Sequence, residues 1–253
     1  MKTGNINYRA HIFLLCAALS ASSLVQAGPP FITDDPEPVE YQHNELYISS
    51  QQVTTQDGRT GTLPHIEYNY GAAPDLQLHI IVPYAFNSPM SGSRQTGVGD
   101  IELGVKYRFV QETEDHPMVG IFPLIETPTG DAGKGLGNGS TQVFLPVWVQ
   151  KKWGDWQSYG GGGYWINHGD NMRNHWFAGW QLQNELSEHL TLGGEIFHST
   201  EQVVGQGSST GFNLGGYYNV DEHNHLLFSA GRELENAQQT NKFSSYIGYQ
   251  ITW

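Results

Sequence analysis

The chain has 253 residues, among them 31 Gly and 12% aromatic side chains, and its mean hydropathy lies below zero. Twelve Lys and Arg stand against 25 Asp and Glu, a balance that excludes nucleic acid as a partner, since a polyphosphate needs basic faces. No apolar window approaches the ~20 residues of a spanning helix, which excludes a helical membrane protein.

Residues 1 to 27 read as an export signal: Lys2 and Arg9 precede the apolar stretch Ile12 to Leu19, and the small-residue site Val25-Gln26-Ala27 follows. Cleavage after Ala27 is expected, leaving 10 basic against 25 acidic residues and a formal charge of −15 with every His neutral. It also removes Cys16, the one cysteine, so the mature chain relies on neither disulfides nor thiol chemistry. Leu15, where a small residue should stand, argues against lipidation of Cys16.

Residues 28 to 40 hold four prolines and four acids without either structural period, which predicts an extended lead-in rather than a domain. Asp34, Asp35, Glu37 and Glu40 lack the glycine-punctuated loop of a calcium site and read as a solvated charge run.

From there a strand-and-turn rhythm runs to the end. It is clearest from Asp75 to Asn87, where Leu76, Leu78, Ile80, Val82, Tyr84 and Phe86 share one face. Ile101, Leu103, Val105, Tyr107 and Phe109 then oppose Glu102, Gly104, Lys106 and Arg108, a pattern that no amphipathic helix produces. Weaker copies start at Ile66, Trp176, Leu190 and Phe212, and the last alternates Phe243, Ser245, Ile247, Tyr249, Ile251 and Trp253. Less regular strands are expected at 41 to 55, 118 to 128, 141 to 152 and 156 to 167. Short links at 71–74, 154–155 and 187–189 separate longer polar ones at 87–97, 129–140, 168–175 and 200–210. That asymmetry is expected of an outer-membrane barrel with short periplasmic turns and long external loops, and it puts both termini on the periplasmic side.

The 226 mature residues allow about twelve strands at ~19 residues per strand and connection, so the expected fold is all-β: a transmembrane antiparallel up-and-down β-barrel over residues 41 to 253. A soluble β-sandwich also alternates, but the outward sets include Trp176 and Trp180, and the chain stops on an aromatic residue inside a strand. Tyr68, Tyr70, Tyr84, Trp148, Trp153, Trp156 and Trp253 are expected in interfacial girdles.

Three stretches carry a family resemblance: Phe31-Ile-Thr-Asp-Asp-Pro-Glu-Pro-Val-Glu40, Gly97-Val-Gly-Asp-Ile-Glu-Leu-Gly-Val-Lys-Tyr-Arg-Phe109, and Pro128-Thr-Gly-Asp131 with its glycine-rich continuation. Together they resemble the outer-membrane family labelled "putative meta-pathway of phenol degradation", often called simply transporter, across essentially the mature chain. The resemblance implies passive transport of small, aromatic or hydrophobic solutes, with no cofactor. The final strand, with Tyr249, Ile251 and Trp253, resembles the signal read by the barrel-assembly machinery. Outer-membrane lipid and lipopolysaccharide are the other expected partners.

Other candidate chemistry is weak. Gly130 to Gly139 invites a phosphate-loop reading, but Gly135 follows Lys134 where Ser or Thr is needed, so a flexible external loop is expected. His223-Asn-His225 has no cysteine and too few ligands for zinc, and reads as a solvated periplasmic turn. An outer-membrane lipid hydrolase would need a Ser and His pair; His198 and Ser199 point to opposite faces of a strand, so no enzyme is expected. A non-conducting structural barrel is the other alternative.

If the apolar sets face lipid, the lumen is lined by His65, Glu67, Asn69, Gln77, His79, Glu102, Lys106, Arg108, Gln181, Gln183 and Glu185. Glu102 is expected to pair with Lys106 or Arg108, because unpaired charge in a dry lumen is costly.

Overall fold

The computed structural model describes residues 29–253; the stretch expected to be an export signal, with Cys16, lies outside the described residues. The strands are β1 (Asn44–Thr54), β2 (Gly58–Ala73), β3 (Leu76–Pro89), β4 in two pieces (Gln95–Val98 and Ile101–Val110) and β5 in two pieces (Met118–Ile121 and Leu124–Thr127). There follow β6 (Gln142–Trp153), β7 (Trp156–Asn167), β8 (His175–Ser187), β9 (Leu190–Ser199), β10 (Ser209–Asn219), β11 (Asn224–Glu233) and β12 (Phe243–Thr252). Each strand pairs antiparallel with its sequence neighbours, and β1 pairs with β12 from Glu45↔Thr252 to Thr54↔Phe243. The sheet is thereby a closed twelve-stranded barrel.

Both interrupted strands have a chemical cause. At the break in β4, Gly99 turns aside and donates to Pro83 O, while Asp100 accepts from Gly130 N at 2.9 Å and Asn138 N at 2.6 Å. In β5, Pro123 has no N–H to give the ladder, and the Phe122 ring turns inward and is buried.

The barrel is inside-out relative to a soluble protein. Ile247 is 66% exposed, Leu214 62% and Trp176 61%, while Gln181 and Gln250 are 0% exposed. An apolar surface of that extent is stable against lipid, not water. The barrel therefore spans a membrane.

Two local expectations are corrected. Trp148 is not a girdle residue: it shares the inward parity of Gln142, Phe144 and Gln150 and is buried in the lumen at 1% exposure. β11 escaped the periodicity reading because Leu227 faces inward and Arg232 outward, which blurs the contrast between its two faces. His225 opens that strand and is buried against Asn219 Oδ1 at 2.9 Å, rather than sitting in a solvated turn.

Candidate functional site in the barrel lumen

The lead-in threads the barrel. At one end Ser229 Oγ donates to Pro30 O at 2.6 Å, and the Glu195 carboxylate on β9 accepts from Ile32 N at 3.0 Å and Thr33 N at 2.8 Å. Lys106 Nζ on β4 lies 2.9 Å from Asp34 Oδ1 and 3.7 Å from Asp35 Oδ1. Gln150 donates to Glu37 Oε2 at 2.9 Å, and Val39 N donates to Gln77 Oε1 at 2.9 Å. Thr33 and Asp35 have no solvent-exposed surface. The expectation of a solvated charge run is therefore wrong: four prolines keep the segment extended enough to cross the lumen, and polar wall residues hold its acids and amides. Burial pushes the Asp35 carboxyl up, to about 8, against the opposing pull of Lys106.

Beyond this floor lies a cavity of about 580 Å³. Its lining mixes polar side chains, His65, Glu67, Asn69, His79, Glu102 and Glu126, with apolar and aromatic ones, Phe31, Ile32, Phe122, Leu124, Phe197 and Tyr246, and the Phe122 ring meets His79 edge-on at 5.1 Å. Five carboxylates (Asp34, Glu67, Glu102, Glu126, Glu233) line it against the one cation, Lys106, so the cavity favours positive over negative charge. His79 ties the polar side chains together: Nδ1 is 2.6 Å from Asn69 Oδ1, and Nε2 is 3.0 Å from Glu102 Oε1.

An aromatic recess of about 210 Å³ adjoins the lead-in, walled by Phe122, Phe144, Trp148, Trp165 and Phe177. Phe144 stacks on Trp165 with ring centroids 4.6 Å apart and meets Phe177 edge-on at 6.2 Å. Sequence periodicity missed this recess. Counting β6 in steps of two from Gln142 would have found Phe144 and Trp148 on the polar, inward face.

The sequence-derived lumen residues sort into three groups. His65, Glu67, Asn69, Gln77, His79, Glu102 and Lys106 all line the cavity. Gln181 and Gln183 are buried apart from it, chained to Gln157 by hydrogen bonds of 2.9 Å each. Arg108 and Glu185 are half-buried and paired locally, with Asp75 at 2.7 Å and Lys152 at 2.7 Å. The expected pairing of Glu102 with Lys106 or Arg108 does not form, because Lys106 is taken by the lead-in and Arg108 by Asp75, leaving Glu102 to His79. Tyr249 and Trp253 are exposed on the outer wall with Ile251 half-buried between them.

His198 is exposed and Ser199 buried, on opposite faces of β9; His198 Nδ1 meets Thr210 Oγ1 at 2.9 Å instead. No group of three or more His, Cys, Asp or Glu suited to a metal occurs among the described residues. The Gly130–Gly139 loop is held by Asp100, by Asn87 on Lys134 O at 3.1 Å, and by the buried Leu136.

Solved structures share this architecture. The COG4313 outer membrane channel from Pseudomonas putida F1 superposes with a TM-score of 0.70 at 17% identity, over 90% of this chain and 100% of the other. The NanC porin gives 0.59 at 10% identity, over 81% and 98%, and the KdgM porin 0.56 at 8%, over 82% and 98%. No curated protein matches by sequence. The profile of the family described as "Putative MetA-pathway of phenol degradation" matches residues 50–250, and the chain belongs to that family.

Proposed function

We propose that the protein is a narrow, passive outer-membrane channel for small solutes with an aromatic or other apolar body, neutral or cationic, and that the lead-in holds it shut. The observation that carries this reading is the lumen itself: a cavity lined by carboxylates and apolar side chains together, an aromatic recess beside it, and a floor made by a segment outside the barrel wall. Twelve strands enclose more space than eight, whose side chains fill them, and less than the open sixteen-stranded porins. The names of the structural neighbours, an outer membrane channel and two porins, support transport over catalysis.

Recognition would divide between the aromatic recess and the carboxylates of the cavity. Stacked rings take a flat apolar body by offset or edge contacts, while Glu67, Asn69 and Glu102 accept hydrogen bonds from its polar end. Swelling of proteoliposomes in phenyl glucoside, compared with a sugar lacking the ring, tests this. Faster entry of the aryl glycoside, with the preference lost in Phe144→Ser/Trp165→Ser, is expected. Equal preference in wild type and variant would contradict it.

A further inference from the structure

The barrel's outer surface carries a second site. Of the ten Lys and Arg in residues 29–253, six have a carboxylate within 4.0 Å: Lys106, Arg108, Lys134, Lys151, Lys152 and Arg173. Among the described residues, Arg59, Arg94, Arg232 and Lys242 have none, although the chain is strongly acidic. These four are not scattered.

Register places them on one arc. Residues directly opposite one another in an antiparallel sheet share a face, and Arg232 pairs with outward Phe212, while Thr54 joins outward Phe243 to Arg59. Arg232 on β11 thus sits level with Phe243 on β12, Thr54 on β1 and Arg59 on β2, three strand spacings or roughly 14 Å from end to end. Lys242 precedes Phe243 and is exposed. Arg94 closes the arc over β3, its guanidinium 4.5 Å from the centre of the Phe86 ring, which lies on the same outer face opposite Gly61.

The row beneath differs from the rest of the wall. Ala230, Ser245, Gln52 and Gly61 lie side by side on the outer face, and Gln52 Nε2 donates to Ser245 Oγ at 3.0 Å. Below that shelf the surface turns apolar with Phe228 and Ile247. From Phe243 to Ile251 is roughly 21 Å along the membrane normal at a tilt of ~40°, which sets the arc at the headgroup level of the leaflet opposite Asn44 and Trp253. By the loop asymmetry that leaflet is the outer one.

We propose that Arg59, Arg94, Arg232 and Lys242 bind the phosphate groups of the outer-leaflet phosphorylated glycolipid, with its sugars on the Gln52–Ser245 shelf and its acyl chains along the apolar wall below. Guanidinium groups match phosphate oxygens in charge and fork geometry. Asp57 and Glu235 stand in the adjoining turns, and neither lies within 4.0 Å of the four cations, so the site's charge is uncompensated within the chain.

Purified mature protein in detergent is titrated with a bis-phosphorylated glucosamine-disaccharide glycolipid, with the same glycolipid stripped of phosphate, and with inorganic phosphate, and bound ligand is counted by native mass spectrometry. Each cation at an anionic lipid surface contributes about fivefold in affinity, so Arg59→Glu/Arg232→Glu should weaken binding of the phosphorylated glycolipid by about 25-fold or more. Lys134→Glu/Arg173→Glu, the same charge change at paired loop residues, should leave it near wild type. Heat-modifiable migration reports folding; if the Glu variant fails to fold, Arg59→Gln/Arg232→Gln should still lose at least about fivefold. Wild-type affinity in folded Arg59 and Arg232 variants, or equal binding of the phosphate-free glycolipid, would overturn the proposal. So would inorganic phosphate binding as tightly as the lipid, which would make this a free-anion site.

Discussion

Lys106 on β4 and Asp34 in the lead-in meet inside the barrel, Nζ 2.9 Å from Oδ1, across 72 residues of chain. The lysine side chain is 3% exposed against 23% for Asp34, so removing it leaves the part-buried Asp34 carboxylate without its cation and takes away the pull that opposes burial at Asp35. Lys106→Met should therefore dislodge the lead-in while the strands stay closed. Protease cleavage near Pro29–Glu40 in detergent should speed up at least tenfold, with heat-modifiable migration unchanged; unchanged protection would show that the pair does not hold the segment.

A steric variant tests the same docking without touching charge. Gly179 on β8 faces Thr33, and a Cβ at that position would collide with the Thr33 side chain. Gly179→Val should displace the segment and raise single-channel conductance; an unaltered current would mean that the lead-in does not limit the pore.

Asp35 predicts a pH dependence. Burial holds its docked pKa near 8 against 3.8 when free, and burial shifts Glu37 in the same direction. Docking therefore gains fully from the protonated carboxyl below the free value, and that contribution is lost as pH rises through about 8. Conductance should increase between about pH 6 and pH 9, and Asp35→Asn should flatten the rise. A wild-type profile that falls over this range would contradict the assignment.

The seam where the barrel closes predicts an assembly defect. Asn44 N donates to Trp253 O at 2.8 Å and Trp253 N to Asn44 O at 3.1 Å, and the indole lies 6.4 Å from the Tyr68 ring. Deleting Trp253 removes both bonds together with the terminal aromatic residue that resembles an assembly signal. Membrane levels of the truncated protein should fall several-fold in a quantitative blot while folded molecules retain their conductance; normal levels would count against it.

Legibility in the sequence followed the contrast between the two faces of each strand. β3 and β4 set Leu, Ile, Val and Tyr against His, Glu, Lys and Arg, and their faces were readable. β6 and β7 were less regular because Phe144, Trp148 and Trp165 turn apolar rings inward, so both faces look alike. The interior pairings were out of reach for a different reason. Nothing near Asp34 in sequence announces Lys106, and nothing near Ile32 announces the Glu195 carboxylate that takes two of its neighbouring amides; strand register brings them together. The acids of the lead-in looked solvated because their partners are supplied by the wall.

The most direct test of a channel held shut by its own lead-in is planar-bilayer conductance of the mature protein beside a form lacking residues 28–40. Small, brief openings are expected for the intact barrel and a several-fold larger, steady, cation-preferring current for the shortened one, with the preference weakened by Glu102→Lys. Absence of current in both forms, each shown to be folded by heat-modifiable migration, would contradict it and leave a closed barrel.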